Sequence, residues 1–420
     1  VPSPFRPIVC LTLFCLALAA ASARAEERLV IGISQFPSTF HPGFEPMVAK
    51  SYVLGFARRP FTVHDAAWQR VCLLCTELPT LENGLAKPET TPDGKQGMAV
   101  TFTIRPEAKW ADGTPITTRD VLFAWRVGRE AATGVLPREF YRSLYRVDAQ
   151  DERTFTLHFD KRTFDYNAID SFEPLPAHLE ETALAEPASY RTRTRFVVDV
   201  TNPGLYNGPY VIAEVAAGSH VVLKRNPHWW GKPPAFATIV VRTIENTAAI
   251  EANLLSGAID MIAGELGLTV DQAIAFAARH GDRFAVLYKP GLIYEHIDLN
   301  LDTPALADRR VRQALLYALD RVGISDRLFS GRQPVAASLM SPLDRMYAED
   351  VRRYPHDPAR AAALLTDAGW HESGSGIRQD AGGRPLTLEL MTTAGDRTRE
   401  LVQQVLQSQW RQVGVDVRIR

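Results

Sequence analysis

The stretch from Arg105 to Trp125 reads RPEAKWADGTPITTRDVLFAW, and its punctuation decides the fold class. Asp112-Gly113-Thr114-Pro115 carries the residue types of a tight turn. Thr118-Arg119-Asp120 opens a helix, with a carboxylate where the helix dipole favours negative charge, and Val121, Leu122, Trp125 and Val127 supply its apolar positions. Just upstream, Val100 to Arg105 alternates Val, Phe and Ile with Thr, Thr and Arg, the pattern of a half-buried strand. Strand, turn and helix joined this closely indicate a mixed α/β (α+β) fold.

The same alternation of elements continues outward. Leu29 to Ser34 reads as a buried first strand that ends at Pro37. Asp151 to Asp160 is a second alternating strand, with Phe155, Leu157 and Phe159 on one face. Tyr210–Val215 and His220–Arg225 flank Ala216-Ala217-Gly218-Ser219 as a hairpin. Helices are expected over Thr247–Leu255, with Gly257 as cap, over Val311–Leu319 and over Ala359–Ala368, which Gly369 stops. A short buried strand is expected at Ile259–Ile262. The last segment reads strand Leu386–Met391, helix Arg397–Gln412, strand Val415–Ile419, and the abrupt end on a strand is expected to leave the chain truncated there.

At the other end, Arg6, the apolar run Ile8–Ala21 and Ala23-Arg24-Ala25 make an export signal with a predicted cut before Glu26. The run is too short for the roughly 20-residue helix that crosses a bilayer. A periplasmic location is therefore expected. Formal net charge is −1, so no electrostatic reason points to nucleic acid or an anionic membrane. Arg191, Arg193 and Arg195 would share one face if that stretch were extended. Past the cut only Cys72 and Cys75 remain. C-x-x-C can be a redox pair, half a zinc site or a local disulfide. Zinc lacks a second cysteine pair, the flanks do not show a strand feeding a helix, and an oxidising compartment favours the disulfide.

No phosphate loop, metal helix or nucleophile turn occurs after the signal. The ten histidines do not pair at ligand spacing, and no carboxylates are forced together for acid/base work. An enzyme is not indicated, and no cofactor or metal is expected.

The Arg105–Trp125 segment resembles the signature of the extracellular solute-binding proteins, family 5, of oligopeptide/dipeptide/nickel-type ABC importers. Asn207-Gly208-Pro209-Tyr210 and Lys224–Gly231 (KRNPHWWG) are similar to its hairpin and aromatic turn. Leu254–Ile262 (LLSGAIDMI), Asn300, Asp308, Val311–Arg321 (VRQALLYALDR), Tyr354–Trp370 (YPHDPARAAALLTDAGW) and Val402–Val417 follow in family order.

That resemblance implies a two-lobed periplasmic clamp with an inserted subdomain: signal 1–25, lobe one 26–75 and 196–275, subdomain 76–195, and an incomplete lobe two 276–420. It implies a monomer that delivers a small solute, by family majority a peptide, to a membrane permease and its ATPase. Metal chelates, opines and oligosaccharides are alternative ligands, and presentation to a periplasmic sensor is an alternative role. Closure requires contacts from both lobes. By position, lobe one offers Phe36, Met47 and Lys50, the last for an anionic ligand group, and Glu265 for a cationic one. Lobe two offers Tyr294 and His296 on its entering strand, and Thr392, Thr393 and Asp396 in the loop before the Arg397–Gln412 helix. The aspartate with which the family's peptide binders hold the ligand's α-amino group falls after the Gly-Val-x-Val strand, past Arg420.

Overall fold

A computed structural model describes residues 28–292 and 294–420. The expected export signal and its cut lie outside the described residues. The chain forms two compact units, one up to Leu268 and one from Thr269, an earlier division than the expected residue 276.

The first unit contains two main sheets. Five strands, in the order β11-β1-β10-β9-β8, come from β1 (Arg28–Ile33), β8 (Tyr210–Ala216), β9 (His220–Arg225), β10 (Thr238–Thr243) and β11 (Met261–Ile262). β1 runs parallel to β10 and β11, while β8, β9 and β10 are antiparallel. Between β1 and β8 in sequence lies a four-stranded antiparallel sheet, β4-β5-β7-β6: β4 (Ala86–Thr90), β5 (Gln96–Thr103), β6 (Leu144–Ala149) and β7 (Thr154–Phe159). A small hairpin of β2 (Thr62–His64) and β3 (Arg70–Cys72) precedes it, and Cys72 and Cys75 form a disulfide at its end. One apolar cluster, from Ile31 through Phe102, Phe155 and Leu223, runs through both sheets.

Helix α1 (Val48–Ala57) follows the first strand, and helix α2 (Thr118–Arg129) follows the Asp112–Pro115 turn. Gly113 sits at φ 93°, in the left-handed region that an L side chain adopts only with strain. Thr117 caps α2 in a capping box with Asp120. Asp120 does more than cap: its carboxylate accepts from Thr117 N, Trp110 Nε1 and Ala177 N. The last of these begins helix α3 (Ala177–Leu184), so one buried side chain joins the turn, α2 and α3.

Two expectations change in this unit. The Ile259–Ile262 strand shrinks to Met261 and Ile262: Ile259 is buried, but Met261 is 44% exposed. Arg191, Arg193 and Arg195 are not extended. They sit in two short helices, Tyr190–Arg193 and Arg195–Val198, where Arg191 pairs with Glu45 and Arg193 with Glu186. β7 is buried on both faces, Thr156 and His158 included, because β7 is an inner strand of a covered sheet.

After helix α4 (Thr247–Leu255) and β11, the second unit opens with α5 (Val270–His280). It continues through α6 (Arg309–Tyr317), α7 (Arg321–Phe329) and α8 (Pro358–Asp367), then β12 (Thr387–Leu390), α9 (Arg397–Gln412) and β13 (Asp416–Ile419). β12 and β13 pair in parallel around the α9 crossover, and Leu315, Leu365, Leu386, Trp410 and Val415 form the core. Buried Arg378 fastens this core from within: it donates to the Val413 and Trp370 carbonyls and to Thr366 Oγ1.

Candidate functional site

In the first unit, the segment after β1 leads to a polar network that sequence reasoning did not anticipate. Met47 is the N-terminal flank of α1, and its Sδ accepts from Ser38 Oγ at 2.9 Å. Lys50 is already inside α1 and buried. Its ammonium donates to the carbonyls of His41 (3.2 Å), Pro42 (3.0 Å) and Phe44 (2.6 Å). An ammonium has three N–H bonds, so all are used, and the expected role toward an anionic ligand gives way to pinning the 41–44 turn onto α1. Burial lowers the Lys50 amine to about 8, with Glu173 opposing that shift and the Arg58 charge adding to it.

The turn that Lys50 holds presents His41, which is fully buried. His41 Nδ1 accepts from Gly43 N, which leaves Nε2–H to donate to Tyr190 Oη at 3.2 Å; Tyr190 in turn donates to Glu180. Thr194 Oγ1 and Arg195 N complete the carboxylate of Glu180 at 2.7 Å each. Burial first, then the Arg58, Lys50 and Arg191 charges, holds His41 well below its usual range. Burial raises Glu180 against those hydrogen bonds. Arg58, beside this network, pairs with Glu173 at 2.6 Å and donates to the Leu205 and Pro174 carbonyls. Every charged group here has its partners within the protein, so the network fixes loop geometry and offers no free group to a solute.

Two residues of this unit remain near the surface. Phe36 is half-buried, edge-on to Phe40 at 6.4 Å. Glu265 is exposed in the loop after β11 and has no ion-pair partner among the described residues.

In the second unit one ion pair links the two segments that carry the expected residues. Arg399, on the first turn of α9, lies 2.8 Å from Glu295, donates to Thr393 Oγ1 at 3.1 Å and is 3.6 Å from Asp396. It thereby joins the Tyr294–His296 segment to the loop before α9. Asp396 is also the cap of α9, accepting from Arg399 N at 3.1 Å. Thr392 lies half-buried in the same loop. The segment carrying Tyr294 and His296 is irregular, not the expected strand, because no described strand pairs with it. The two rings stack at 4.6 Å, and His296 Nε2 stands 3.4 Å from Asp298. This exposed edge combines aromatic faces, a hydroxyl, carboxylates and a guanidinium, a set suited to hydrogen-bonding and stacking against a polar solute. Glu295 and Arg399 were missed because nothing in local spacing shows that a loop before α6 meets the first turn of α9. Among the described residues, no group of three or more His, Cys, Asp or Glu could hold a metal ion.

Residues 80–420 match the family model "Bacterial extracellular solute-binding proteins, family 5 Middle". The chain is 30% identical to the oligopeptide-binding protein of Thermus thermophilus, solved with a pentapeptide. That superposition has a TM-score of 0.64 and covers 94% of this chain and 72% of that one. The oligopeptide-binding protein AppA of Bacillus subtilis is 26% identical over 340 residues, 80% of this chain and 60% of AppA. The substrate-binding protein CtaP of Listeria monocytogenes, at 19% identity, shares the fold with a TM-score of 0.71 over 94% of this chain and 73% of that one. Since the family model spans most of the chain and the fold agrees with it, the chain belongs to family 5 of the bacterial extracellular solute-binding proteins, the solute-capturing components of ABC importers.

Proposed function

We propose that this chain captures a peptide in the periplasm, as a monomer, and delivers it to a membrane permease with its ATPase. The observation that carries this reading is the likeness to the Thermus thermophilus protein solved with a pentapeptide, supported by the likeness to AppA. A peptide presents an ammonium, a carboxylate and a row of amides. On the first unit the exposed carboxylate of Glu265 suits an ammonium; on the second, taken by itself, Arg399 and Thr393 suit a carboxylate or amides, and Tyr294 and His296 offer stacking faces. Phe36 and Met47 supply apolar contact. Thr392 and Asp396 complete the second unit's edge, while Lys50 takes no part.

A micromolar dissociation constant requires about −8 kcal/mol, within reach of a buried, hydrogen-bonded solute. Mass spectrometry of ligand released from the purified protein tests the reading. Peptides of a narrow length range are expected, and a sugar, opine or metal chelate in their place would overturn the peptide assignment. The peptide should also be returned intact after prolonged incubation, since no step of hydrolysis is part of the role.

A further inference from the structure

His41 is fully buried, and its Nδ1 accepts from Gly43 N at 3.1 Å. A backbone nitrogen only donates, so Nδ1 carries no proton while this bond stands. Nε2–H donates to Tyr190 Oη, and Tyr190 to Glu180. A second proton on the ring would set two N–H groups against each other across 3.1 Å, so the closed turn holds a neutral imidazole by geometry. The charges facing the ring are Lys50 on α1, Arg58 just past it, Arg191 beside Tyr190, and Glu180 one hydroxyl away. Glu173 pairs with Arg58, Glu45 with Arg191, and Arg195 N bonds Glu180. Burial and the three cations disfavour the imidazolium.

The same ring is what the turn closes on. It stacks on Phe44 at 4.0 Å and stands edge-on to Tyr190 and Phe196 at 5.7 and 5.0 Å. His41 N bonds Thr39 Oγ1, and Phe44 N bonds His41 O. Two candidate solute contacts flank the turn: Phe36, edge-on to Phe40 at 6.4 Å, and Met47, tied back by Ser38 Oγ at 2.9 Å. A ring that leaves its pocket to take up a proton carries the turn with it, and Phe36 and Met47 lose the framework that places them.

We propose that the turn formed by residues 39–44 is an acid-released catch: proton uptake at His41 Nδ1 opens it, and a bound solute closes it. The second half rests on the reading of Phe36 and Met47 as solute contacts. Once released, the imidazole titrates near its ordinary value of about 6.5. The ratio of open to closed turns therefore rises about tenfold for each pH unit below that, until the closed form itself takes up the proton. The opening is local, below the cost of unfolding the sheet behind it. A solute that binds only the closed form opposes it by mass action, about tenfold at ten times its dissociation constant.

Hydrogen exchange of the intact protein between pH 7.5 and 5, read by mass spectrometry over the 39–44 turn and over β9 and β10, tests this. After correction for intrinsic rates, protection of the turn should be level above about pH 6.5 and fall about tenfold per unit below it. It should stay below the protection of β9 and β10 throughout. His41→Asn keeps an acceptor for the amide two residues on and does not titrate, so its turn should show no such fall. If that variant does not fold, the wild-type profile decides. A level wild-type profile, or turn protection equal to that of the sheet, would overturn the catch. So would an unchanged slope in His41→Asn, which would assign the protons to Glu45 or Glu180. A mixed peptide pool at saturation should raise turn protection at pH 5 at least about tenfold. A pool that binds by titration calorimetry yet leaves protection unchanged would overturn the coupling to solute. A pool that does not bind would overturn the peptide reading instead, while the pH profile still judges the catch.

Discussion

Two charged clusters of this protein use similar residue types in opposite ways. Around His41, Lys50 and Arg58 in the first unit, the three side chains are buried and each is hydrogen-bonded to carbonyls, a hydroxyl or a carboxylate of the protein. Around Arg399 in the second unit, the ion pair with Glu295 is open to water, with side-chain exposures of 44% and 64%. Burial makes the first cluster expensive to disturb, since an unpaired group there cannot be rescued by solvent. Exposure makes the second cheap to rearrange, because water replaces what an incoming solute displaces. A binding protein needs both: loops that hold their shape and an edge that can exchange partners.

The largest expected effect comes from breaking the sealed cluster. Arg58→Met leaves Glu173 and two buried carbonyls without their donor and should cost about 3–5 kcal/mol of stability, read as a fall in the urea midpoint. Lys50→Met strands three carbonyls at once and should cost about 2–3 kcal/mol. If the same variant instead kept its stability and lost ligand affinity, the assignment of Lys50 to the interior would be wrong.

A smaller effect should appear with pH. His41 is held below its usual range by burial and by the Arg58, Lys50 and Arg191 charges. The unfolded chain therefore takes up a proton near pH 6.5 that the folded chain still refuses. Below about 6.5 stability should fall as pH falls, by up to about 1.4 kcal/mol per unit for this one group, until the folded-state value is passed. His41→Asn should remove that component of the slope, which pH-dependent melting would show.

Much of this contrast was out of reach of local sequence. Elements with their own punctuation were legible: the Asp112–Pro115 turn, α2 opening at Thr118-Arg119-Asp120, the β8–β9 hairpin, and α9, read to its observed ends. Asp396 shows where such reading divides, because one aspartate is both a helix cap and part of the candidate edge. The network around His41 was not legible, since it joins residues 41, 180, 190 and 194 through packing alone. Lys50 looked like a surface cation because lysine usually is one. Only the three carbonyls converging on its ammonium show otherwise.

On the open edge, the smallest stability effects are expected. Arg399→Ala should change stability by less than about 1 kcal/mol while lowering solute affinity. Asp396→Asn separates its two roles, because Asn caps helices as well as Asp does: melting should be nearly unchanged, and any loss of affinity then belongs to the solute contact.

The central claim is that this protein binds and releases a solute without transforming it. Isothermal titration of the intact protein with a peptide pool, followed by mass spectrometry of the recovered peptides, tests it most directly. Saturable one-to-one binding, peptides recovered uncleaved and affinity lowered by Arg399→Ala are predicted. Cleaved peptides, or no binding to any member of the pool, would contradict the account.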